Sequence, residues 1–223
     1  APDSAQYFVQ WSAELRGDLN IDKFYEAWQA TIDHHAALRA MFIWSNLEQP
    51  LQVIRQRVQA PWNVLDWRDL APELQAVQFE RLLAEDRARG FDLSRAPLMR
   101  LHLIRMADDR YQFVWSFHHI LLDGWAIMLV LKEVFGFYHA SVEGRSYTFA
   151  EVRPFRDYIA WLEHQSLTEA EAFWRDRLRG MSAPTQLWIE RNASQTDAPP
   201  DYREWYDALP EESMAHLQSF ARS

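Results

Sequence analysis

Apolar positions recur at two spacings along the chain, and the change from one to the other marks out its elements. In Tyr7 to Leu15 (YFVQWSAEL), Tyr7, Val9, Trp11 and Ala13 share one face at period two, which predicts a strand, and Arg16-Gly17-Asp18 supplies the turn after it. The spacing then becomes helical. Ile21, Phe24, Tyr25, Trp28 and Ile32 form one stripe, with Asp18 or Asn20 as N-cap, and this helix runs into His34-His35-Ala36-Ala37-Leu38-Arg39. Ala40 to Trp44 and Leu51 to Ile54 predict a hairpin across a polar connection. Leu74, Val77, Phe79, Leu82 and Leu83 predict a second amphipathic helix, ending near Arg89-Gly90 with basic residues and a C-cap glycine. Leu98 to Arg105 and Tyr111 to Phe117 alternate on either side of Ala107-Asp108-Asp109-Arg110, an antiparallel hairpin. From Trp125 to Tyr138 the apolar residues are too continuous for a half-exposed helix, so a buried one is expected. Pro154 opens a helix containing Tyr158, Ile159 and Leu162, and Ala170 to Leu178 continues as another with Phe173 and Trp174 inward. Asn192 to Pro200 reads as a polar loop before a last strand, Tyr202 to Leu209, and a helix from Glu211. The class is α/β (α+β), a mixed sheet flanked by helices.

Composition narrows the function. The chain has 223 residues, 48% of them hydrophobic, enough for a sizeable core. A formal net charge of −9 argues against nucleic acid or an anionic membrane as partner. With no cysteine there is no disulfide, thiol nucleophile or cysteine-based zinc site, which fits a cytoplasmic location. Residues Ala1 to Gln10 lack the pattern of a signal peptide, and no stretch reaches the ~20 consecutive apolar residues of a membrane span.

The densest chemistry lies at Ser116 to Trp125, SFHHILLDGW. If the strand persists, Phe113, Trp115, Phe117 and His119 share one face and Val114, Ser116 and His118 the other, so the two histidines point apart and do not converge on one metal ion. No metal is expected here. A histidine at a strand tip beside the apolar Ile120, Leu121 and Leu122 is instead a candidate for proton transfer near neutral pH. Asp123 then holds the turn, and Gly124 lets a second chain or a substrate approach. Taken singly, either histidine reads more readily as a hydrogen-bonded core residue, and it is the combination of these residues that brings catalysis level with that reading.

This segment resembles the signature of condensation domains of non-ribosomal peptide synthetases, H-H-x-x-x-D-G, matched by His118, His119, Asp123 and Gly124. Three flanking segments resemble the same family in the same order. They are His35-Ala36-Ala37-Leu38-Arg39-Ala40-Met41-Phe42, with Ala36 and Ala40 where the family has Glu and Thr; Gly90-Phe91-Asp92-Leu93 with Ala96-Pro97-Leu98-Met99-Arg100; and Arg156-Asp157-Tyr158-Ile159-Ala160-Trp161. The resemblance implies a chloramphenicol acetyltransferase-like lobe, half of a two-lobed condensation domain. Residues 1–190 would be the N-terminal lobe without its first segment, and 191–223 the start of the connection to a C-terminal lobe.

The implied activity is that of an acyltransferase. A carrier-bound acyl or peptidyl thioester passes to the amine of a carrier-bound aminoacyl acceptor, with amide-bond formation. No cofactor is expected on the domain itself, because the substrates ride on phosphopantetheine arms of upstream and downstream peptidyl carrier domains. The other implied partners are an adenylation domain and the C-terminal lobe. His119 is the catalytic residue by this resemblance, as general base or as electrostatic stabiliser of the tetrahedral intermediate. His118, Asp123, Gly124 and Arg39 are its support, with Arg39 the expected ion-pair partner of Asp123. Loss of one member of such a buried pair would cost roughly 3–5 kcal/mol. Trp125 is expected to pack at the motif and is the candidate for the substrate tunnel. Epimerisation by a domain of the same superfamily and carrier-domain binding without catalysis are the alternative functions; the first would need a carboxylate base from the other lobe, and the second usually accompanies loss of the histidines.

Overall fold

The two longest alternating segments become the middle of a four-stranded sheet. The computed structural model describes residues 7–183 and 208–222. They belong to two units, Ala1–Gln165 and Ser166–Ser223. In the first, the order is β1 (Phe8–Arg16), α1 (Ile21–His34), a 3-10 turn at Ala36–Arg39, β2 (Ala40–Ile43), β3 (Leu51–Ile54), β4 (Trp62–Asp66), α2 (Pro72–Arg89), β5 (Met99–Ala107), β6 (Arg110–His118), α3 (Gly124–Val142) and α4 (Phe155–Glu163). The second unit holds α5 (Leu167–Arg177) and α6 (Glu211–Arg222). The expected loop at Asn192 to Pro200, the strand from Tyr202 up to residue 207 and the boundary at residues 190 and 191 lie outside the described residues.

The sheet runs β1-β6-β5-β4, and β2 pairs with β3 in a separate two-stranded sheet. β6 is antiparallel to both neighbours, with Trp11↔Trp115 and Leu101↔Trp115 in register. β4 is parallel to β5, with Trp62↔Leu101, so α2 is the crossover between parallel neighbours. β4 is the one strand of this sheet that the hydrophobic pattern does not reveal. It is a five-residue edge strand, WNVLD, with mixed polarity and a half-exposed Val64, and only its pairing defines it.

The odd-numbered residues of β6 face α1 and α3. Phe24 and Trp28 of α1 are fully buried, with ring centroids 5.3 Å from Phe113 and 4.9 Å from Trp115 respectively. Such pairs add about 0.5–1.5 kcal/mol each beyond the area they bury. Asn20 is the N-cap of α1, its Oδ1 accepting the Lys23 N–H at 3.1 Å.

The opposite face of the sheet is polar, and this turns α2 away from its expected orientation. Leu74 and Val77 are 53% and 62% exposed, whereas Gln75 and Asp86 are buried. Gln75 Nε2 donates to the carbonyls of Trp67 and Met106, both at 2.9 Å. Asp86 accepts from Arg100 and from Gln10, the latter at 3.2 Å. Buried backbone carbonyls and a buried guanidinium demand partners more strongly than two leucine-sized groups demand burial.

Two further expectations are corrected. α3 is buried on one side only, through Val130, Leu131, Val134, Tyr138 and Ala140, while Trp125, Met128 and Leu129 are exposed. α3 also has the length and composition of a membrane-crossing helix, a property shared by core helices of soluble proteins. In the second unit, Phe173 and Trp174 are exposed rather than inward.

Candidate active site

The motif begins where β6 ends. The His118 N–H donates to the Leu98 carbonyl at 3.0 Å, and the His119 N–H donates across to the Tyr7 carbonyl at 2.7 Å. The Leu121 N–H then donates back to the His118 carbonyl at 3.0 Å, closing a turn over residues 118–121. The strand therefore stops at His118, and alternation is not what separates the two histidines. They differ in their partners.

His118 is half-buried, and its Nδ1 accepts the Ile120 N–H at 3.1 Å. A ring nitrogen that accepts must carry no proton, so the neutral His118 holds its proton on Nε2. Burial, and secondarily the neighbouring His119, lower its pKa below the ordinary histidine value. Its ring lies beside that of Tyr7, centroids 5.9 Å apart. His119, one residue on, is exposed on the turn, and its ring makes no hydrogen bond to any described residue.

Asp123 is the N-cap of α3, with its Oδ1 accepting the Ala126 N–H at 2.8 Å. A carboxylate there satisfies an otherwise unpaired helix donor and complements the positive end of the dipole. Arg39 is not its partner. Arg39 ends the 3-10 turn, and its guanidinium donates to the carbonyls of Ile32 at 3.2 Å, Gln56 at 3.0 Å and Arg55. It ties the end of α1 to the chain after β3, while Asp123 is held by its own helix, so the expected ion pair is absent.

Gly124 has an ordinary backbone conformation, and a Cβ there would meet no atom within 4 Å. Nothing among the described residues requires glycine at this position. Trp125 is 85% exposed, which overturns the expectation that it packs at the motif. With Met128 (65%) and Leu129 (62%), at helical spacing, it makes an exposed apolar face along the first two turns of α3, and Ile120, next to His119 in the chain, is exposed as well. Sequence reasoning missed Tyr7 as a member of the site. Its signal is the register Phe8↔His118, which the sheet order alone supplies.

Behind the site, on the polar face of the sheet, Asp86 is buried with Arg100 and His102. Burial works to raise the Asp86 pKa, but the neighbouring His102 and Ser116 and the Arg100 guanidinium outweigh it and hold the carboxyl well below its usual range. His102 Nδ1 accepts from Asn63 at 3.1 Å, so this histidine serves the β4–β5 pairing.

Comparison with known proteins places this geometry in a family. A family model described as "Condensation domain" matches residues 1–223. A linear gramicidin synthase polypeptide of Brevibacillus parabrevis is 42% identical over 216 residues, which is 97% of this chain and 4% of that synthase. Among solved structures, the starter condensation domain of rhizomide synthetase RzmA superposes with a TM-score of 0.71 at 24% identity, over 82% of this chain and 45% of its own. VibH, a condensation enzyme of non-ribosomal peptide synthesis, superposes at 0.65 with 23% identity, over 82% and 42%. At those identities the structural likeness speaks for the fold, which is the chloramphenicol acetyltransferase-like one.

Proposed function

Because the chain belongs to the condensation-domain family of non-ribosomal peptide synthetases, we propose that it forms the histidine-bearing half of a two-lobed catalyst that makes amide bonds between carrier-bound substrates. The observation that carries this reading is the placement of His119: exposed on the turn and hydrogen-bonded to none of the described residues, it shortly precedes α3, whose first turns carry apolar side chains that the described residues leave uncovered. A histidine with a purely structural role would be hydrogen-bonded and at least half-buried, as His118 is. A second lobe lying over Trp125, Met128 and Leu129 turns the open face into one wall of a tunnel, with His119 at its inner surface.

In the reaction the amine nitrogen of the acceptor attacks the thioester carbonyl carbon of the donor. The carbonyl oxygen gains charge, the C–S bond breaks, and the thiolate of the donor arm leaves and is protonated. The amine loses one proton in forming the amide. His119 is placed to take that proton or to hydrogen-bond the developing charge; no carboxylate among the described residues orients its ring. Holding both thioesters in line supplies a further share of the acceleration. The remaining motif residues position this group. His118 closes the turn, Asp123 starts α3, and Gly124 leaves room at its first residue for the acceptor arm. The space around Gly124 supports that role, since only an occupant from outside these residues would need it.

The test uses the polypeptide carrying both lobes, with a donor carrier loaded as an acyl thioester and an acceptor carrier loaded as an aminoacyl thioester. Mass spectrometry of the acceptor carrier should show the added acyl group. Gly124→Val should slow that transfer without lowering the melting temperature. Donor hydrolysis without transfer, or a Gly124→Val protein as fast as wild type, contradicts the assignment.

A further inference from the structure

A second pair of adjacent histidines, His34 and His35, meets Glu133 at a place the proposed reaction does not use. His34 ends α1, and His35 leaves the helix with φ −92° and ψ 111°, so the backbone bends between them. Their rings meet edge to face, centroids 4.9 Å apart. Glu133 reaches over from α3, and its carboxylate bonds His35 Nε2. One ligand atom from each of the three residues lies within 4.8 Å of the other two, and all three side chains are half-buried.

The surroundings of His34 supply an independent observation. Its Nε2–H donates to the Ala150 carbonyl at 2.9 Å, and its ring stacks on Phe149 with centroids 4.5 Å apart at 20°. The bond to a carbonyl fixes the tautomer and leaves the lone pair on Nδ1. A ring N–H held by a backbone carbonyl is the usual outer partner of a metal-bound histidine. Two imidazoles and one carboxylate are a zinc ligand set with an open fourth position.

We propose that His34, His35 and Glu133 bind a first-row divalent cation, with Zn2+ the best match, which clamps the end of α1 to α3. Tetrahedral zinc, with bonds of about 2.0–2.1 Å, spaces its ligand atoms roughly 3.3 Å apart, so His35 and Glu133 move slightly apart as their hydrogen bond gives way to coordination and His34 completes the set. Imidazole nitrogens disfavour the hard cations Ca2+ and Mg2+. The site lies about 15 Å along α3 from Asp123, at 1.5 Å per residue, so the ion does not touch His119 and the role is structural. The site is separate from the His118–His119 motif, where no metal is expected.

The test is metal binding by the full chain, stripped with a chelator and then titrated with ZnCl2 by calorimetry and with CoCl2 by visible absorption at pH 7.5. One ion per chain should bind, with the intense visible bands of four-coordinate cobalt. The melting temperature should rise by about 5–10 °C at a hundredfold excess over the dissociation constant. His35→Gln and Glu133→Gln should each weaken binding at least about tenfold, the scale on which even outer partners act. His216→Ala, in the second unit, should not. Binding that is undiminished in both cluster variants overturns the site. If a variant unfolds by circular dichroism, wild type decides alone: a cobalt spectrum that stays that of the aqua ion overturns the proposal.

Discussion

His118 and His119 are neighbours in the chain and opposite in circumstance, and the difference lies in one hydrogen bond. His118 accepts from the Ile120 N–H and is tuned towards its neutral form. Its depressed pKa means that the unfolded chain binds the proton more readily. The stability it contributes is therefore complete above the unfolded histidine value, about pH 6.5, and is lost as pH falls through the lower folded value. A proton–nitrogen NMR titration should place the His118 midpoint below that of an unstructured histidine, with the Ile120 amide losing exchange protection on the acid side. Asp123 carries a different prediction from the one an Arg39 pair would give. As an N-cap it should cost about 1 kcal/mol on replacement by alanine and little on replacement by asparagine, which caps equally well. Chemical denaturation measures this, and a loss of roughly 3–5 kcal/mol would indicate a buried charge pair instead. The histidine motif and its position at a strand tip were legible in the sequence. The partner of Arg39 was not, because it is chosen among distant backbone carbonyls that no spacing of side chains reveals.

At the scale of elements, the hydrophobic pattern located every helix of the first unit but did not orient them all. α1 turns its predicted stripe inward, because the sheet face it meets is made of Phe113, Trp115 and Phe117. α2 meets a face carrying Gln10, Arg100, His102 and Ser116, and it presents Gln75 and Asp86 while Leu74 and Val77 stay outside. Periodicity reports which side of a helix is apolar; it says nothing about the polarity of the surface opposite. Asp86→Asn should consequently cost about 3–5 kcal/mol, by leaving the Arg100 guanidinium buried without its charge partner. Leu74→Ser should change stability by no more than about 0.5 kcal/mol. Both follow from urea unfolding. The Asp86 pKa is held low in the folded state, so its contribution is complete above the unfolded aspartate value, near pH 4, and is lost as acid protonates it.

For the whole molecule, the telling feature is a helix that reads as fully buried and is covered on one side only. The continuous apolar run of α3 is accounted for if its two faces meet two different surfaces: the core of this unit, and a second lobe over Trp125, Met128 and Leu129. The chain spans 4% of the synthase it resembles and 45% of the solved condensation-domain chain, so both relatives are longer than this chain, as the proposed second lobe requires. Trp125→Ala should leave the melting temperature of the chain nearly unchanged, since so little of the ring is buried here, yet lower amide formation in the two-lobed polypeptide. The assignment of chemistry to His119 is the claim on which the functional account rests. Its most direct test is single-turnover amide formation between loaded carriers by the two-lobed polypeptide carrying His119→Ala. The account predicts a loss of roughly a hundredfold or more, the scale of a positioned acid–base group, with unchanged circular dichroism and melting temperature. A folded His119→Ala protein that condenses at the wild-type rate would contradict it.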